Sequence, residues 1–131
     1  MPSMQLRPDD VIVGVDTHKD QHVAVLLDGL GGRLAELYLP ATTAGFSHLL
    51  AFSLEHVGPA GRLQAVGVEG TGSYGIGLAR FLRRHGHTVQ EIHRPPRTAE
   101  CRLTGKSDTI DAEYAARQVL AGRGTAGPED R

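Results

Sequence analysis

The run Val11-Ile12-Val13-Gly14-Val15-Asp16 constrains this chain more than any other stretch. Four β-branched residues and a glycine predict a strand buried on both faces, and they leave a carboxylate at its end. A second run, Ala65-Val66-Gly67-Val68-Glu69, also closes on an acid. Two more aspartates, Asp108 and Asp111, open a later helical stretch. A sheet that brought these four carboxylates together would make a divalent-metal site.

The length of 131 residues suits one domain that buries about two thirds of its unfolded surface. A formal net charge of -1 carries no global signal for a polyanionic partner, so nucleic-acid binding has to be argued locally. One region supports it. Arg80, Arg83, Arg84, Arg94, Arg97, Arg102 and Lys106 supply seven of the chain's 14 basic residues, against Glu91 and Glu100 alone, a local formal charge of +5. The single cysteine, Cys101, excludes an internal disulfide and fits a reducing compartment. The longest apolar run, Val23 to Leu27, is far below the roughly 20 residues that span a bilayer. Arg7, Asp9 and Asp10 interrupt any signal-peptide pattern. The expectation is a cytoplasmic protein with no membrane partner.

In chain order, the first strand turns at Thr17-His18-Lys19-Asp20 into a second, Gln21 to Asp28. Glycines at 29, 31 and 32 then fold back a third, Arg33 to Leu39, which Pro40 ends. Thr42 or Thr43 caps a helix with Phe46, Leu49, Leu50 and Val57 on its apolar face and Gly58-Pro59 as its stop. A fourth strand runs from Leu63 to Glu69, a glycine-rich loop follows, and a second helix extends from about Tyr74 to His85. The fifth strand is Thr88 to His93. Pro95-Pro96 and a basic loop lead to a last helix, Asp108 to Leu120. The domain is set at residues 1–121, with 122–131 a disordered tail.

An antiparallel meander that switches to parallel crossovers is the element order of an α/β, ribonuclease H-like fold: a mixed five-stranded sheet with flanking helices. That topology makes the first and fourth strands neighbours and sets Asp16 beside Glu69. Asp108 and Asp111, spaced i, i+3, share a helix face. Close carboxylates repel unless a cation lies between them, and magnesium takes oxygen ligands. Two ions about 3.5 to 4 Å apart would stabilise both the attacking and the leaving oxygen of a phosphoryl displacement, and the four acids suffice for such a pair. Blander readings stand beside this one. Asp108 and Asp111 also fit a helix-capping pair, and Asp16 and Glu69 ordinary strand ends; the metal reading rests on all four falling at compatible places in one topology.

The segment from Gly70 to Gly77 lacks the lysine of a P-loop and reads as glycines permitting a tight turn. Lys19 is either a phosphate contact or a solvated turn residue. Arg80, Arg83 and Arg84 also fit the solvated face of the second helix, whereas Arg94, Arg97, Arg102 and Lys106 precede the proposed ligands, where phosphate contacts are useful. The histidines show no zinc spacing, and no hydrolase triad can be assembled.

Three blocks carry a resemblance: Val13-Gly14-Val15-Asp16-Thr17-His18-Lys19, Glu69-Gly70-Thr71-Gly72-Ser73-Tyr74 and Lys106-Ser107-Asp108-Thr109-Ile110-Asp111-Ala112. They resemble the DEDD transposases of the insertion-sequence 110 group, over about residues 11 to 120. The resemblance implies a RuvC-like catalytic domain with Asp16, Glu69, Asp108 and Asp111 holding Mg2+ or Mn2+. It also implies DNA cleavage and strand transfer in transposition, with a structured guide RNA and a homo-oligomer as partners. Lys19, Tyr74, Arg94, Arg97, Arg102 and Lys106 form the expected nucleic-acid interface. Family members add a C-terminal domain with a serine nucleophile, which these residues do not include, so the chain reads as an N-terminal domain of a longer transposase or as a truncated copy. Arg94-Pro95-Pro96 stands where the family commonly has an Asn-Pro pair. The alternatives are a Holliday-junction-resolvase-like nuclease and a non-catalytic nucleic-acid-binding fragment. The phosphate-binding half of an actin-like sugar kinase would also explain Asp16 after a strand, but 131 residues cannot supply both lobes of such an enzyme.

Overall fold

A computed structural model describes residues 6–70, 73–93, 107–122 and 125–126. Strands β1 (Val11–Thr17), β2 (Gln21–Asp28) and β3 (Arg33–Pro40) form the expected meander. Helix α1 (Thr43–Glu55) carries the chain across to β4 (Leu63–Glu69), which pairs with β1 in parallel. Helix α2 (Ile76–Arg84) then leads to β5 (Val89–Ile92), parallel to β4, and α3 (Ser107–Leu120) follows. Thr42 caps α1 by accepting the Gly45 backbone N–H at 3.1 Å.

Helix α2 is shorter than the Tyr74 to His85 read from the sequence, and two further details differ. Helix α1 stops at Glu55, before Gly58-Pro59. His56 donates from Nδ1 to the Phe52 carbonyl at 2.9 Å, and the Gly58 N–H bonds to Asp9 at 2.9 Å, which draws the chain off the helix. To the five expected strands the structure adds a sixth of two residues, β6 (Thr125–Ala126), antiparallel to β5 and inside the stretch read as a disordered tail. The outer edge of β5 offers backbone donors and acceptors, and such pairing asks little of the side chains, so a stretch without strand composition can supply it.

The sheet order is β3-β2-β1-β4-β5-β6. Val11, Val13 and Val15 enter one core with Phe46 and Leu49 of α1 and Leu78 and Leu82 of α2. Ile12 enters the other core with Ala112, Ala115, Ala116 and Val119 of α3. A strand buried on both sides has to be apolar on both, which is why the β1 sequence runs rather than alternates. Side-chain alternation puts Gly14 and Asp16 on the α3 face with Ile12, and Gly67 and Glu69 there with Ala65.

Candidate carboxylate site at the end of the central strands

Asp16 and Glu69 are direct partners in the parallel register of β1 and β4. A bond just beyond them holds that register: the Thr17 hydroxyl donates to the Glu69 carbonyl at 2.7 Å. Gly70 then turns the chain at φ 92, a left-handed conformation, and a Cβ there would lie 2.4 Å from Thr17 Oγ1. Only glycine suits both demands.

Helix α3, whose first turn carries the other two acids, lies close to the sheet. A Cβ added at Gly14 would fall 2.1 Å from the Ala112 carbonyl oxygen and 2.3 Å from the Ala116 nitrogen; one at Gly67 would fall 2.5 Å from Val119 Cγ2 and 3.0 Å from the Ala115 carbonyl oxygen. The glycines of the sheet and the alanines of the helix thus touch backbone to backbone. A Cβ added at Gly31, in the turn after β2 and beside the start of β1, would lie 3.3 Å from Leu120 Cδ2, so α3 runs opposite to β1. Moving from Gly14 to Asp16 advances about 6.6 Å, roughly four helical residues. That step carries α3 from Ala112 back to its first turn, where Asp108 and Asp111 stand.

Asp111 is buried, and Asp16 is entirely so. Asp16 Oδ2 accepts a hydrogen bond from His18 Nε2 at 2.9 Å, and the His18 side chain is 44% exposed. The three carboxylates offer the hard oxygen donors that a divalent cation such as magnesium takes. Among the described residues, no three His, Cys, Asp or Glu side chains are gathered closely enough to hold an ion. The Asp108 side chain lies outside the described residues, as do Arg94, Arg97, Arg102 and Lys106. Lys19, in the β1–β2 turn, and Tyr74, in the β4–α2 loop, are exposed at this same end of the sheet.

Sequence reasoning passed over Gly14, Thr17, Gly67 and His18 as parts of the site. The two glycines had a readable signal, each two residues before its acid and therefore on the acid's face, opposite the i, i+3, i+4, i+7 series Ala112, Ala115, Ala116, Val119. The tie from Thr17 to Glu69 crosses 52 residues and had none.

On the opposite face, His22 is fully buried and stacked on Phe46 with ring centroids 5.8 Å apart. Its Nδ1 accepts the His18 backbone N–H at 3.4 Å. Burial holds its pKa below the ordinary 6.5, helped by the charge of His18 and opposed by the Gln21 backbone. At the far end of β1, Arg7, Asp10, Ala60, Arg62 and Gln64 line a cavity of about 210 Å³.

The sequence profile of the DEDD transposases of the insertion-sequence 110 group, described simply as transposase, matches residues 13–130. The phosphoglucosamine mutase of Bartonella quintana (strain Toulouse) is 33% identical over 105 residues; that match covers 80% of this chain and 23% of the mutase. The chain therefore spans under a quarter of that relative. Among solved structures, Thermus thermophilus RuvC is similar at a TM-score of 0.57 and 13% identity, over 89% of this chain and 99% of RuvC. RuvC from T. thermophilus in complex with a Holliday junction substrate gives a TM-score of 0.54 at the same identity and coverage. The fold is ribonuclease H-like, of the RuvC kind. No helix among the described residues is long and apolar enough to cross a membrane.

Proposed function

We propose, from the premise that the chain belongs to the DEDD transposase family of the insertion-sequence 110 group, that it is the metal-dependent nuclease domain of a DNA transposase. Asp16, Glu69, Asp111 and Asp108 would hold Mg2+ or Mn2+. The observation that supports this reading is the glycine-on-alanine contact, which packs α3 closely against the two strands whose end acids are paired in register. A bound divalent cation supplies charge neutralisation for displacement at phosphorus. The chain's own residues do the rest. Thr17 and Gly70 keep the ends of β1 and β4 level, Gly14 and Gly67 seat α3, and burial of Asp16 and Asp111 excludes water from the donor set.

DNA is the proposed substrate, with Lys19 and Tyr74 at the rim and Arg94, Arg97, Arg102 and Lys106 of the basic stretch before α3 as phosphate and base contacts. A structured guide RNA and a homo-oligomer are proposed as partners on the strength of the family. The domain is proposed to extend past residue 121, since Thr125–Ala126 joins its sheet. A second reading, a nuclease acting on branched DNA, is favoured by the likeness to RuvC in complex with a Holliday junction substrate.

Calorimetric titration with Mn2+ tests the site. Saturable binding in the parent chain and none in Asp16→Asn is the expected result; equal affinity in Asp16→Asn, Glu69→Gln and Asp111→Asn would sink it. Gel shifts and nicking assays on linear duplex and on a four-way junction separate the two readings, since preference for the junction belongs to the second. Arg97→Ala and Arg102→Ala should lower DNA affinity and flatten its salt dependence.

A further inference from the structure

We propose that Tyr38 is a base-stacking platform beside the carboxylate site, and that it takes single-stranded DNA, whose bases are unpaired next to the phosphate being cut. This rests on the reading of the domain as a DNA nuclease, and it deepens that reading by naming the form of DNA the site receives.

The register of the sheet sets this ring in line with the acids. Glu69 pairs with Asp16, Asp16 with Val23 and Val23 with Tyr38, so the four form one row across β4, β1, β2 and β3. Directly paired residues share a face, which puts Tyr38 on the α3 face with Asp16. Strands lie about 4.8 Å apart, so the two backbones are about 10 Å from each other. That is roughly three nucleotide steps of about 3.4 Å. The cover over this face stops between them: Val23 is 1% exposed in the core beneath α3, whereas its partner Tyr38 is 50% exposed.

Of the chain's six aromatic residues, three Phe and three Tyr, only Tyr38 and Tyr74 are exposed, and both lie at the carboxylate end of the sheet. Among the described residues, the Tyr38 hydroxyl has no hydrogen-bond partner and its ring no aromatic neighbour. An open aromatic face near a cation that holds the backbone is the combination that binds single strands, because every base has a π-face. Lys19, exposed on the turn between β1 and β2, supplies the cation. The Ala41 N–H bonds to the Asp20 carbonyl at 3.0 Å, which holds that turn to the end of β3. Glu36, also on the Tyr38 face, would repel phosphate, but Arg33 pairs with it. A base inside a duplex has both faces occupied by its neighbours, so the ring selects unpaired DNA.

The experiment is a fluorescence-anisotropy titration of the full chain with a labelled single-stranded DNA oligonucleotide, with Ca2+ in place of Mn2+ to hold back cutting. Tyr38→Ala should weaken binding by about 5- to 100-fold, the loss of one stacked base, and leave the salt slope unchanged because no charge is removed. Tyr38→Phe keeps the ring and should stay close to the parent, whereas Tyr38→Leu keeps apolar bulk without stacking and should lose as Tyr38→Ala does. Because the chain has no tryptophan, Tyr38→Trp reports on this position alone. Its emission should be quenched by the single strand and not by a blunt duplex of the same sequence, a readout that stands even if Tyr38→Ala folds poorly. Parent binding that Tyr38→Ala or Tyr38→Leu leaves unchanged would overturn the platform alone. A loss in Tyr38→Phe as large as in Tyr38→Ala would overturn it by making the hydroxyl the contact. Equal quenching by the duplex, or stronger quenching by RNA of the same sequence, would overturn the assignment to single-stranded DNA. No binding of any DNA by the parent would take down the nuclease reading and the platform together.

Discussion

Two aspartates flank the same strand, and their surroundings differ in kind. Asp10, just before β1, is 2% exposed and receives three donors: the Arg7 N–H at 2.9 Å and the Gln64 amide at 3.0 Å on Oδ2, and the Arg62 N–H at 3.0 Å on Oδ1. Burial opposes its charge, but these donors and the nearby Arg62 charge outweigh that and hold its carboxyl below the usual 3.8. Asp16, at the other end, is at least as deeply buried, yet it is engaged by an exposed imidazole on a short turn. A carboxylate surrounded by fixed backbone donors stabilises the fold. Asp16 instead lies at the strand end beside another acid, Glu69, its partner in the sheet register. Burial alone therefore does not separate a structural aspartate from a functional one; the groups gathered around each do.

The largest expected effect tests that contrast directly. Asp16→Asn should abolish saturable Mn2+ binding while Asp10→Asn leaves it intact; loss in both would mean that the two ends are not separate. Stability should sort the other way. Asp10→Ala strands buried donors at the start of β1 and β4 and should cost about 3 kcal/mol in denaturant unfolding, whereas Asp16→Asn should cost close to nothing. Gly14→Ala forces a Cβ into the Ala112 and Ala116 backbone and should cost about 2 kcal/mol through overpacking, with weaker Mn2+ binding because α3 is lifted. Thr17→Val removes one bond between the strand ends, for about 1 kcal/mol.

The smallest effect is in the pH dependence. Unfolded His22 takes up a proton below 6.5 that the buried ring resists, so melting temperature should fall as the pH drops below that value. His22→Phe should flatten that slope. The contribution of Asp10, present above 3.8, disappears only as the pH drops further, through its lowered folded value.

Much of the fold was legible in the chain because it rests on local signals. The apolar β1 and β4 runs, the Thr42 cap and the glycines after β2 each state their conformation within a few residues. Alternation along β1 even places Gly14 and Asp16 on one face, and the Ala112-Ala115-Ala116 stripe shows which helix face could lie there. The stop of α1 and the short β6 were not legible, because a contact with Asp9 and an available sheet edge decided them.

The sequence by itself determined that acids end both central strands and open α3, and that the element order sets those strands side by side. Tertiary structure decided how near α3 could come, which donors surround Asp10, and that the His18 ring meets Asp16. The physical reason is range: propensity and periodicity act between neighbours in the chain, whereas hydrogen bonds and close packing act between neighbours in space. The bond from Thr17 to Glu69 spans 52 positions of sequence and 2.7 Å of distance.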